Sequence, residues 1–408
     1  MKSLFRIIVV ISFIVLLVAV IAYSRGYRFD FKKKSMTSTG ILSISSYPNA
    51  AKVYINNELK GVTNLNQSLA PGRYHVEVKK DGYTNWNKDI LLKGELVMTV
   101  DALLFSLNPS LSPQTNLGIV KAVPIDQTGK IILFSQTEDP EKDGLYLFDS
   151  GFKPLSFFPP LKLILLKKKL DAYGSFDFKD SRVFFSPDYK EAIFEFDKTT
   201  SNYQLNVSNN INDSTQSFLL ALGEENKSLF DVTNSKETLL EAWQKETDNN
   251  NQKILEAFPK TIAKVASESF KIISLSPDET KIFYQAANNK PLPLAIDPSL
   301  IASNQTPEDR NLKKNNYYIY DKKEDKNYLI RLSSEDIVNW YPDSEHLIFV
   351  DKKKLVASDY DGLNEQAIYS GPFENSFFTT TNDGKIIILT NLNPEVNKYG
   401  DLYLVGIK

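Results

Sequence analysis

Ser-Pro-Asp-Glu-Thr-Lys-Ile-Phe-Tyr, residues 276–284, joins a turn to a strand. Proline presets the backbone φ of the turn, and the aspartate side chain accepts backbone N–H groups there. The residues that follow, from Lys281 to Tyr284, are mostly aliphatic or aromatic, which favours a strand buried on both faces between neighbouring sheets. The pattern recurs along the chain, so it decides the fold.

Five segments between residues 126 and 389 carry this pattern of a turn followed by an apolar strand. They are Asp126–Phe134, Ser186–Phe196, Ser276–Tyr284, Tyr341–Val350 and Asn382–Leu389. Further strands follow them, such as Gly144–Phe148, Tyr317–Tyr320 and Asp401–Val405. The last two turns lie about 40 residues apart, which is the period of a propeller blade made of four strands.

The repeats resemble those of Tol-type and WD-type β-propellers. The segment Asp359-Tyr360-Asp361-Gly362-Leu363-Asn364 resembles the Asp-Gly-x-Asn turn after the third strand of Tol-type repeats. We therefore predict an all-β fold in which residues 107–408 form a propeller of five or six blades, the sixth drawn from Phe152–Phe178. An open stack of hairpins or a two-sheet sandwich is the alternative, but long repetition favours closure because closure removes exposed sheet edges.

Residues 213–270 interrupt the repeats. Leu239, Leu240 and Trp243 lie at helical spacing, and Ile254, Leu255 and Phe258 continue the pattern. We predict a helical insertion in a blade loop. It is either a packed decoration that covers one end of the propeller or a lid that binds a partner, and the apolar stripe favours packing.

Residues 41–106 have the pattern of a separate small β domain. From Tyr74 to Lys79, apolar residues alternate with polar ones, which predicts a strand with one buried face. Asn56-Asn57 indicates a tight hairpin because asparagine tolerates positive φ. We expect five or six short strands in an antiparallel sandwich.

The ordered turns of this domain resemble the PEGA domain family. They are Pro48-Asn49-Ala50-Ala51 in place of the signature tetrapeptide, Gly61-Val62-Thr63 followed by Asn64 where proline is usual, Ala70-Pro71-Gly72 and Lys80-Asp81-Gly82-Tyr83. The resemblance implies a small extracytoplasmic β-sandwich that binds or scaffolds and has no known catalytic residues.

The apolar run Ile7–Tyr23 begins the chain, interrupted only by Ser12. As a helix it spans about 26 Å, and with Leu4 and Phe5 it reaches the roughly 30 Å of a bilayer's hydrocarbon core. A cleaved signal peptide is the alternative, although its apolar region is usually shorter and ends in small residues. We predict that residues 1–24 are a single membrane anchor.

The orientation of this anchor has conflicting signals. Two basic residues precede the helix and five follow it in the predicted linker 25–40, namely Arg25, Arg28, Lys32, Lys33 and Lys34. The positive-inside rule would place the large C-terminal part in the cytoplasm, whereas the PEGA resemblance favours the outer face. We predict a single-pass protein of the cell membrane with most of the chain outside, and keep a cytoplasmic scaffold as the alternative. The basic linker either binds anionic lipid or is a simple spacer.

Composition excludes several kinds of function. A net charge of −2 argues against a nucleic-acid partner, and the absence of cysteine excludes disulfides and thiolate chemistry. His75 is expected on a solvated strand face, and His346 is expected to form structural hydrogen bonds. No nucleophile elbow, zinc-binding helix or phosphate loop is present, so we assign no catalytic residue and no cofactor.

Three neighbouring polar residues are candidate ligands of a calcium ion. Asp359, Asp361 and Asn364 carry oxygen atoms of the kind that Ca²⁺ prefers, but other ligands of a calcium loop are missing, and an Asx turn is the simpler interpretation.

The sequence thus predicts a non-catalytic interaction scaffold or sensor that binds a protein or a cell-wall glycan through the propeller face, with an unspecified oligomeric state. The alternative is a hydrolase or lyase whose carboxylates converge on the central channel, because residues of different blades meet there without a linear motif. Buried carboxylates clustered in a concave site would favour the enzyme, and a broad face rimmed with aromatic residues would favour binding.

Overall fold

The computed structural model describes residues 2–24, 27–30, 35–125, 128–137, 139–151, 160–198, 215–301, 303–332 and 337–407. The chain divides into two compact units. The first contains Met1–Asn108 and Ile296–Pro307, and the second contains Pro109–Ala295 and Glu308–Ile407. Residues 296–307 fall within the range predicted for the propeller but cluster with the first unit. Gln305 joins the first unit because its side-chain amide bonds both the N–H and the C=O of Leu91.

Helix α1 extends from Lys2 to Ser24. Its segment Arg6–Ser24 has a mean hydropathy of 3.0 and no buried part, so it is long and apolar enough to cross a membrane. A signal sequence would satisfy the same criteria. The residues that mark the ends of the predicted span, Ile7 and Tyr23, both lie in this helix and are 53% and 67% exposed.

A short hairpin follows the helix, where the sequence predicted only a linker. Strand β1, Tyr27–Asp30, pairs antiparallel with β2, Ser35–Ser38. Arg28 lies in β1. The other predicted membrane-proximal basic residues, Arg25, Lys32, Lys33 and Lys34, lie outside the described residues.

The remainder of the first unit is a β-sandwich of seven strands. These are β3 Gly40–Tyr47, β4 Lys52–Ile55, β5 Glu58–Val62, β6 Leu65–Leu69, β7 Gly72–Lys79, β8 Trp86–Leu92 and β9 Val97–Leu103. They form a three-stranded sheet, β6-β3-β9, and a four-stranded sheet, β5-β4-β7-β8. Inward-facing residues of both sheets, including Leu42, Val53 and Val78, share one core. The alternating pattern therefore identified the buried faces correctly.

The strand directions in this sandwich differ from the prediction in one place. Strand β3 pairs with β9 in parallel, from Ile41 opposite Val97 to Tyr47 opposite Leu103. Because all the other sandwich strands lie between them in sequence, no tight turn forces these two strands to run in opposite directions. The predicted hairpin is confirmed, since Asn56 and Asn57 have φ values of 52° and 67° between paired strands β4 and β5.

The second unit consists mainly of antiparallel sheets of four strands, and the described residues form five of them. Sheet 1 contains β11 Ile119–Ile125, β12 Lys130–Ser135, β13 Gly144–Asp149 and β14 Leu161–Leu166. Sheet 2 contains β15 Arg182–Phe185, β16 Glu191–Asp197, β17 Thr215–Ala221 and β18 Phe230–Asp231. Sheet 3 contains β19 Phe270–Leu275, β20 Lys281–Ala286, β23 Tyr317–Asp321 and β24 Lys326–Ile330.

The last two sheets complete the unit. Sheet 4 contains β25 Val338–Trp340, β26 His346–Asp351, β27 Lys354–Asp359 and β28 Gln366–Tyr369. Sheet 5 contains β29 Phe378–Thr380, β30 Ile386–Thr390 and β31 Asp401–Gly406, together with β10 Ser110–Pro113. A two-stranded ribbon, β21 Lys290–Pro291 with β22 Asn311–Leu312, branches from sheet 3.

These five sheets are the blades of a β-propeller. Strand β10 pairs with β31, so the first and last strands of the unit lie in one sheet. Shared apolar cores join sheet 1 to sheet 2, sheet 3 to sheet 4, and sheet 5 to sheet 1. The sixth blade predicted from Phe152–Phe178 is wrong in its described part, which forms β14 and the short helix α2, Lys167–Asp171; residues 152–159 lie outside the described residues.

The helical insertion is shorter than predicted. Strands β17 and β18 of sheet 2 occupy the first part of residues 213–270, and the helices are α3, Lys236–Glu256, and α4, Lys260–Ser269. Helix α4 buries Ile262 and Val265 in a core shared with sheet 3. That contact supports the packed alternative for α4, whereas α3 is exposed over most of its length.

Candidate functional site

The turns between the first and second strands of sheets 2 and 3 share one construction. In sheet 3, the Ser276 hydroxyl donates to Asp278 Oδ1 at 2.7 Å, and the N–H of Thr280 donates to the same oxygen at 3.1 Å. Burial alone would raise the pKa of Asp278, but these hydrogen bonds outweigh it and hold the pKa well below its usual range. Sheet 2 repeats the arrangement, because Ser186 donates to Asp188 at 2.8 Å.

One backbone position of these turns is left-handed in all five sheets. Gly129, Tyr189, Glu279, Ser344 and Gly384 have φ values of 69°, 54°, 57°, 65° and 77°. Glycine suits this conformation best because it has no Cβ, and two of the five turns use it. The repeated φ value therefore shows that the five turns have a common backbone geometry at this position.

A cavity of about 350 Å³ lies where four of these turns meet. Its described lining comes from the first strands and turns of sheets 1, 3, 4 and 5, namely Gly129, Pro277, Asn339, Trp340, Pro342 and residues 379–382. Its volume is within the range of about 300–1,000 Å³ that is typical of small-molecule sites. None of these lining side chains is ionisable, so the cavity presents hydroxyl, amide and apolar groups.

Hydrogen bonds between sheets 4 and 5 hold the cavity wall in place. The Thr380 hydroxyl donates to the carbonyl oxygen of Trp340 at 3.1 Å, and the Tyr341 hydroxyl donates to the carbonyl oxygen of Gly384 at 2.7 Å. Tyr341 is fully buried. The wall is therefore formed before any ligand arrives, which lowers the entropic cost of binding.

Three lining side chains keep unused hydrogen-bonding capacity. Thr379 is 8% exposed, yet its hydroxyl makes no hydrogen bond to any part of the chain that the structure describes. The buried Nε1 of Trp340 likewise has no acceptor among those residues. The amide of Asn382 is exposed and makes no side-chain hydrogen bond within the same ranges. Buried polar groups are usually paired, and of these three only Trp340 Nε1 is buried without a partner. The hydroxyl of Thr379 and the amide of Asn382 leave hydrogen-bonding groups in the lining for a ligand or water.

His346 lies beside this wall in a buried ion-pair cluster. Its Nδ1 is 2.7 Å from Asp343 Oδ2, and its Nε2 is 3.3 Å from Asp359 Oδ1. Burial alone would lower the pKa of His346, but the bonds to both carboxylates outweigh it and raise the pKa to about 10. The same contacts with His346 lower the pKa of Asp343 in spite of its burial. The expected structural role of His346 agrees with this geometry.

The residues considered for calcium form a turn. The second carboxylate oxygen of Asp359 accepts the Asn364 amide at 2.9 Å, and Asp361 accepts the N–H of Leu363 at 3.2 Å. No group of three or more His, Cys, Asp or Glu residues suited to a metal occurs in the described ranges. The geometry is that of an Asx turn, and a calcium site here stays a prediction. His75, as expected, is exposed and pairs with Asp89 at 2.6 Å.

Two further buried charged residues of the propeller, Glu195 and Lys281, form ion pairs away from the cavity lining. Glu195 contacts Arg182 at 2.6 Å and Lys236 at 2.5 Å, which attaches the start of α3 to sheet 2. Lys281 contacts Glu345 at 2.8 Å. The carboxylates of these pairs are neutralised by cations, and none belongs to the described cavity lining.

Sequence reasoning missed the cavity residues. Trp340 lies immediately before a predicted turn and Thr380 lies two residues before another, and each ends the first strand of its blade. Since first strands line the centre of a propeller, this position was the available signal. The sequence does not show which blades are neighbours, so it could not show that these residues lie around one cavity.

The fold and the site define a modular β protein with a sandwich, a propeller and an apolar N-terminal helix. Residues 39–105 match the PEGA domain model, which confirms the resemblance for that segment. A comparison with curated proteins gave no match.

Several solved structures share general features with the chain. A protein assigned as TolB from Agrobacterium tumefaciens is 10% identical, with 64% of this chain and 66% of that one covered and a TM-score of 0.20. A puromycin-hydrolysing peptidase of Mycobacterium tuberculosis is 11% identical over 82% of this chain and 44% of that one, with a TM-score of 0.20. The Dos1 propeller is 9% identical over 93% and 80%, with a TM-score of 0.19. The chain thus spans less than two thirds of the length of the first two, and scores this low carry no argument about function.

Proposed function

We propose that this chain is a membrane-anchored, non-catalytic binding protein of the cell envelope, with α1 as its anchor and the cavity lined by sheets 1, 3, 4 and 5 as its ligand site. The observation that carries the proposal is the cavity itself, which four blades build from uncharged side chains and which hydrogen bonds between sheets 4 and 5 hold open. The match of residues 39–105 to the PEGA family supports an extracytoplasmic position for the body of the chain.

The absence of carboxylates from the described lining is what favours binding over catalysis. Hydrolase or lyase chemistry needs an acid, a base or a nucleophile within reach of the substrate. The one carboxylate bonded to a lining threonine is that of Asp383, which accepts the Thr381 hydroxyl at 2.5 Å among the described residues. This bond repeats the turn contact of Ser276 with Asp278, and it helps to lower the pKa of Asp383 in spite of burial, which makes the carboxylate a weaker base. We therefore propose that the chain is a scaffold or sensor, and that it functions by binding its ligand and not by catalysing a reaction.

The first test asks on which side of the membrane the body of the chain lies. Intact cells that express the chain with a C-terminal tag are treated with protease, and a cytoplasmic marker and a known surface protein are followed in parallel. We expect the tag to be lost while the cytoplasmic marker survives. Protection of the tag until lysis, with the surface protein cut, would place the body in the cytoplasm.

The second test concerns the cavity. Asn382→Trp places a bulky ring at the exposed rim of the cavity, and Asn393→Trp places the same ring on an exposed loop of sheet 5 outside the lining. Fractionated envelope glycans and peptides are screened for an increase in the unfolding temperature of the full chain. We expect a fraction that stabilises wild type and Asn393→Trp but not Asn382→Trp. Equal stabilisation of all three proteins would place binding elsewhere.

A further inference from the structure

The cavity differs from many ligand sites in having no charge in its described lining. A charged ligand would lose its hydration there without gaining a partner of opposite sign, which is costly. A wholly apolar ligand is disfavoured for the opposite reason, since it would cover the free Thr379 hydroxyl without satisfying it. The remaining class is an uncharged ligand that is polar over much of its surface.

The lining is suited to a ligand that carries both hydroxyl groups and apolar C–H faces. Thr379 and Asn382 offer a hydroxyl and an amide that have no partner within the described part of the chain, and each can both donate and accept. Pro277 and Pro342 add rigid apolar surface from two other turns. Alternation of hydroxyls with C–H faces is a property of sugars.

An extended peptide is a poorer fit. Peptides that bind a sheet run along the edge of a strand and pair with its backbone over several residues. The two first strands that supply most of this wall, Val338–Trp340 and Phe378–Thr380, contain only three residues each. They offer too short an edge for such pairing.

We propose that the cavity binds an uncharged saccharide unit, contacted by Thr379 and Asn382 and resting on the prolines of the neighbouring turns. The inference rests on the proposed function, because it names the ligand class of that same cavity. A ligand of one or two sugar rings suits a preformed volume of about 350 Å³.

The experiment is calorimetric titration of the full-length chain in micelles of a detergent without sugar head groups, since a maltoside would compete for the site. The probes are the neutral disaccharides N,N′-diacetylchitobiose, cellobiose and maltose. A disaccharide that contains a uronic acid and an uncharged tetrapeptide are the comparison ligands. We expect at least one neutral disaccharide to bind and both comparison ligands to bind at least tenfold more weakly.

Two isosteric variants locate the binding. Thr379→Val removes the free hydroxyl in the cavity without changing the shape of the side chain. Thr390→Val is the matched control, because Thr390 is a buried threonine of the same sheet whose hydroxyl also lacks a partner in the described ranges but lies outside the lining. We expect about tenfold weaker binding of the disaccharide to Thr379→Val, the equivalent of one uncharged hydrogen bond, and no change for Thr390→Val.

The outcomes separate the two proposals. Tighter binding of the uronic acid or the tetrapeptide, weakened by Thr379→Val, would overturn the ligand class and leave the cavity as a binding site. Failure of every neutral disaccharide to bind would overturn this inference, and failure of all the probes together with equal behaviour of the cavity-rim variant would overturn the proposed function as well. Equal weakening by both valine variants would also contradict the assignment to the cavity.

Discussion

Sheets 3 and 4 use the same turn but close it with different chemistry. In sheet 3, Ser276 precedes the Pro-Asp pair and donates its hydroxyl to Asp278. In sheet 4, Tyr341 occupies the position of the serine, and its hydroxyl reaches across to Gly384 of sheet 5. Asp343 is therefore left without that donor, and His346 takes its place.

The propeller repeat therefore fixes a backbone shape, while the side chains of the turn differ from sheet to sheet. The left-handed position is kept in both turns, with φ of 57° at Glu279 and 65° at Ser344. In sheet 4, a tyrosine at the serine position hydrogen-bonds to sheet 5 at the cavity wall. The turn of sheet 4 is stabilised instead by a buried ion pair, and such a pair is sensitive to mutation and to pH.

The largest effect should come from His346→Gln. The variant leaves Asp343 and Asp359 without their cation, and breaking a buried ion pair costs about 3–5 kcal/mol. We expect a loss of this size in urea unfolding, followed through Trp340 fluorescence in a chain that carries Trp86→Phe and Trp243→Phe. Trp340 ends the first strand of the same sheet, so it reports on sheet 4.

His75→Gln is the matched control for this prediction. His75 also bonds a carboxylate, at 2.6 Å, but its side chain is 41% exposed. Exposed ion pairs contribute about 0–1 kcal/mol, so the control should lose little. Similar losses for the two variants would show that burial of the sheet 4 cluster does not strengthen its ion pair.

The next largest effect concerns the difference in unfolding free energy between wild type and His346→Gln, which should depend on pH. The pKa of His346 rises from 6.5 to about 10 on folding, so its contribution to stability is complete below about pH 6.5 and is lost as the pH rises toward 10. The pKa of Asp343 is lowered from 3.8, so its contribution is present above about pH 4 and is lost in acid. The difference should be greatest between about pH 4 and 6.5.

Urea unfolding of both proteins at pH 5.5, 7.5 and 9.5 measures this trend. We expect the difference in unfolding free energy between the two proteins to shrink at each step. A constant difference across this range would mean that a protonated His346 does not hold the turn.

Much of the architecture was predictable because its signals are local. The turn and the following strand lie within about ten residues, as do the hairpin at Asn56-Asn57 and the apolar helix, so pattern and turn chemistry were sufficient. His346 and Asp343 are also close in sequence, and the structural role of the histidine was foreseen.

The features that sequence missed depend on residues distant along the chain. Strand β10 pairs with β31 across nearly the whole second unit, and Gln305 bonds Leu91 although 214 residues separate them. The cavity depends in the same way on Trp340 and Thr380, which are 40 residues apart. No local propensity encodes such contacts, because they depend on which sheets become neighbours when the ring forms.

The smallest effect concerns two turns that share the Ser-Pro-Asp sequence. Ser276 and Ser186 are both buried, and each donates to its aspartate and accepts an N–H from the following strand. Asp278 also accepts the hydroxyl of Thr280 and contacts Lys323, whereas Asp188 pairs only with neighbours of its own turn. Ser276→Ala should therefore cost about 1 kcal/mol, the usual value of one hydrogen bond. Ser186→Ala should cost less because the side chain of Asp188 is 49% exposed, against 36% for Asp278. Hydrogen–deuterium exchange of β16 and β20 in the full chain measures each loss in its own sheet, and a larger loss in β16 would show that the network around Asp278 compensates for the missing serine.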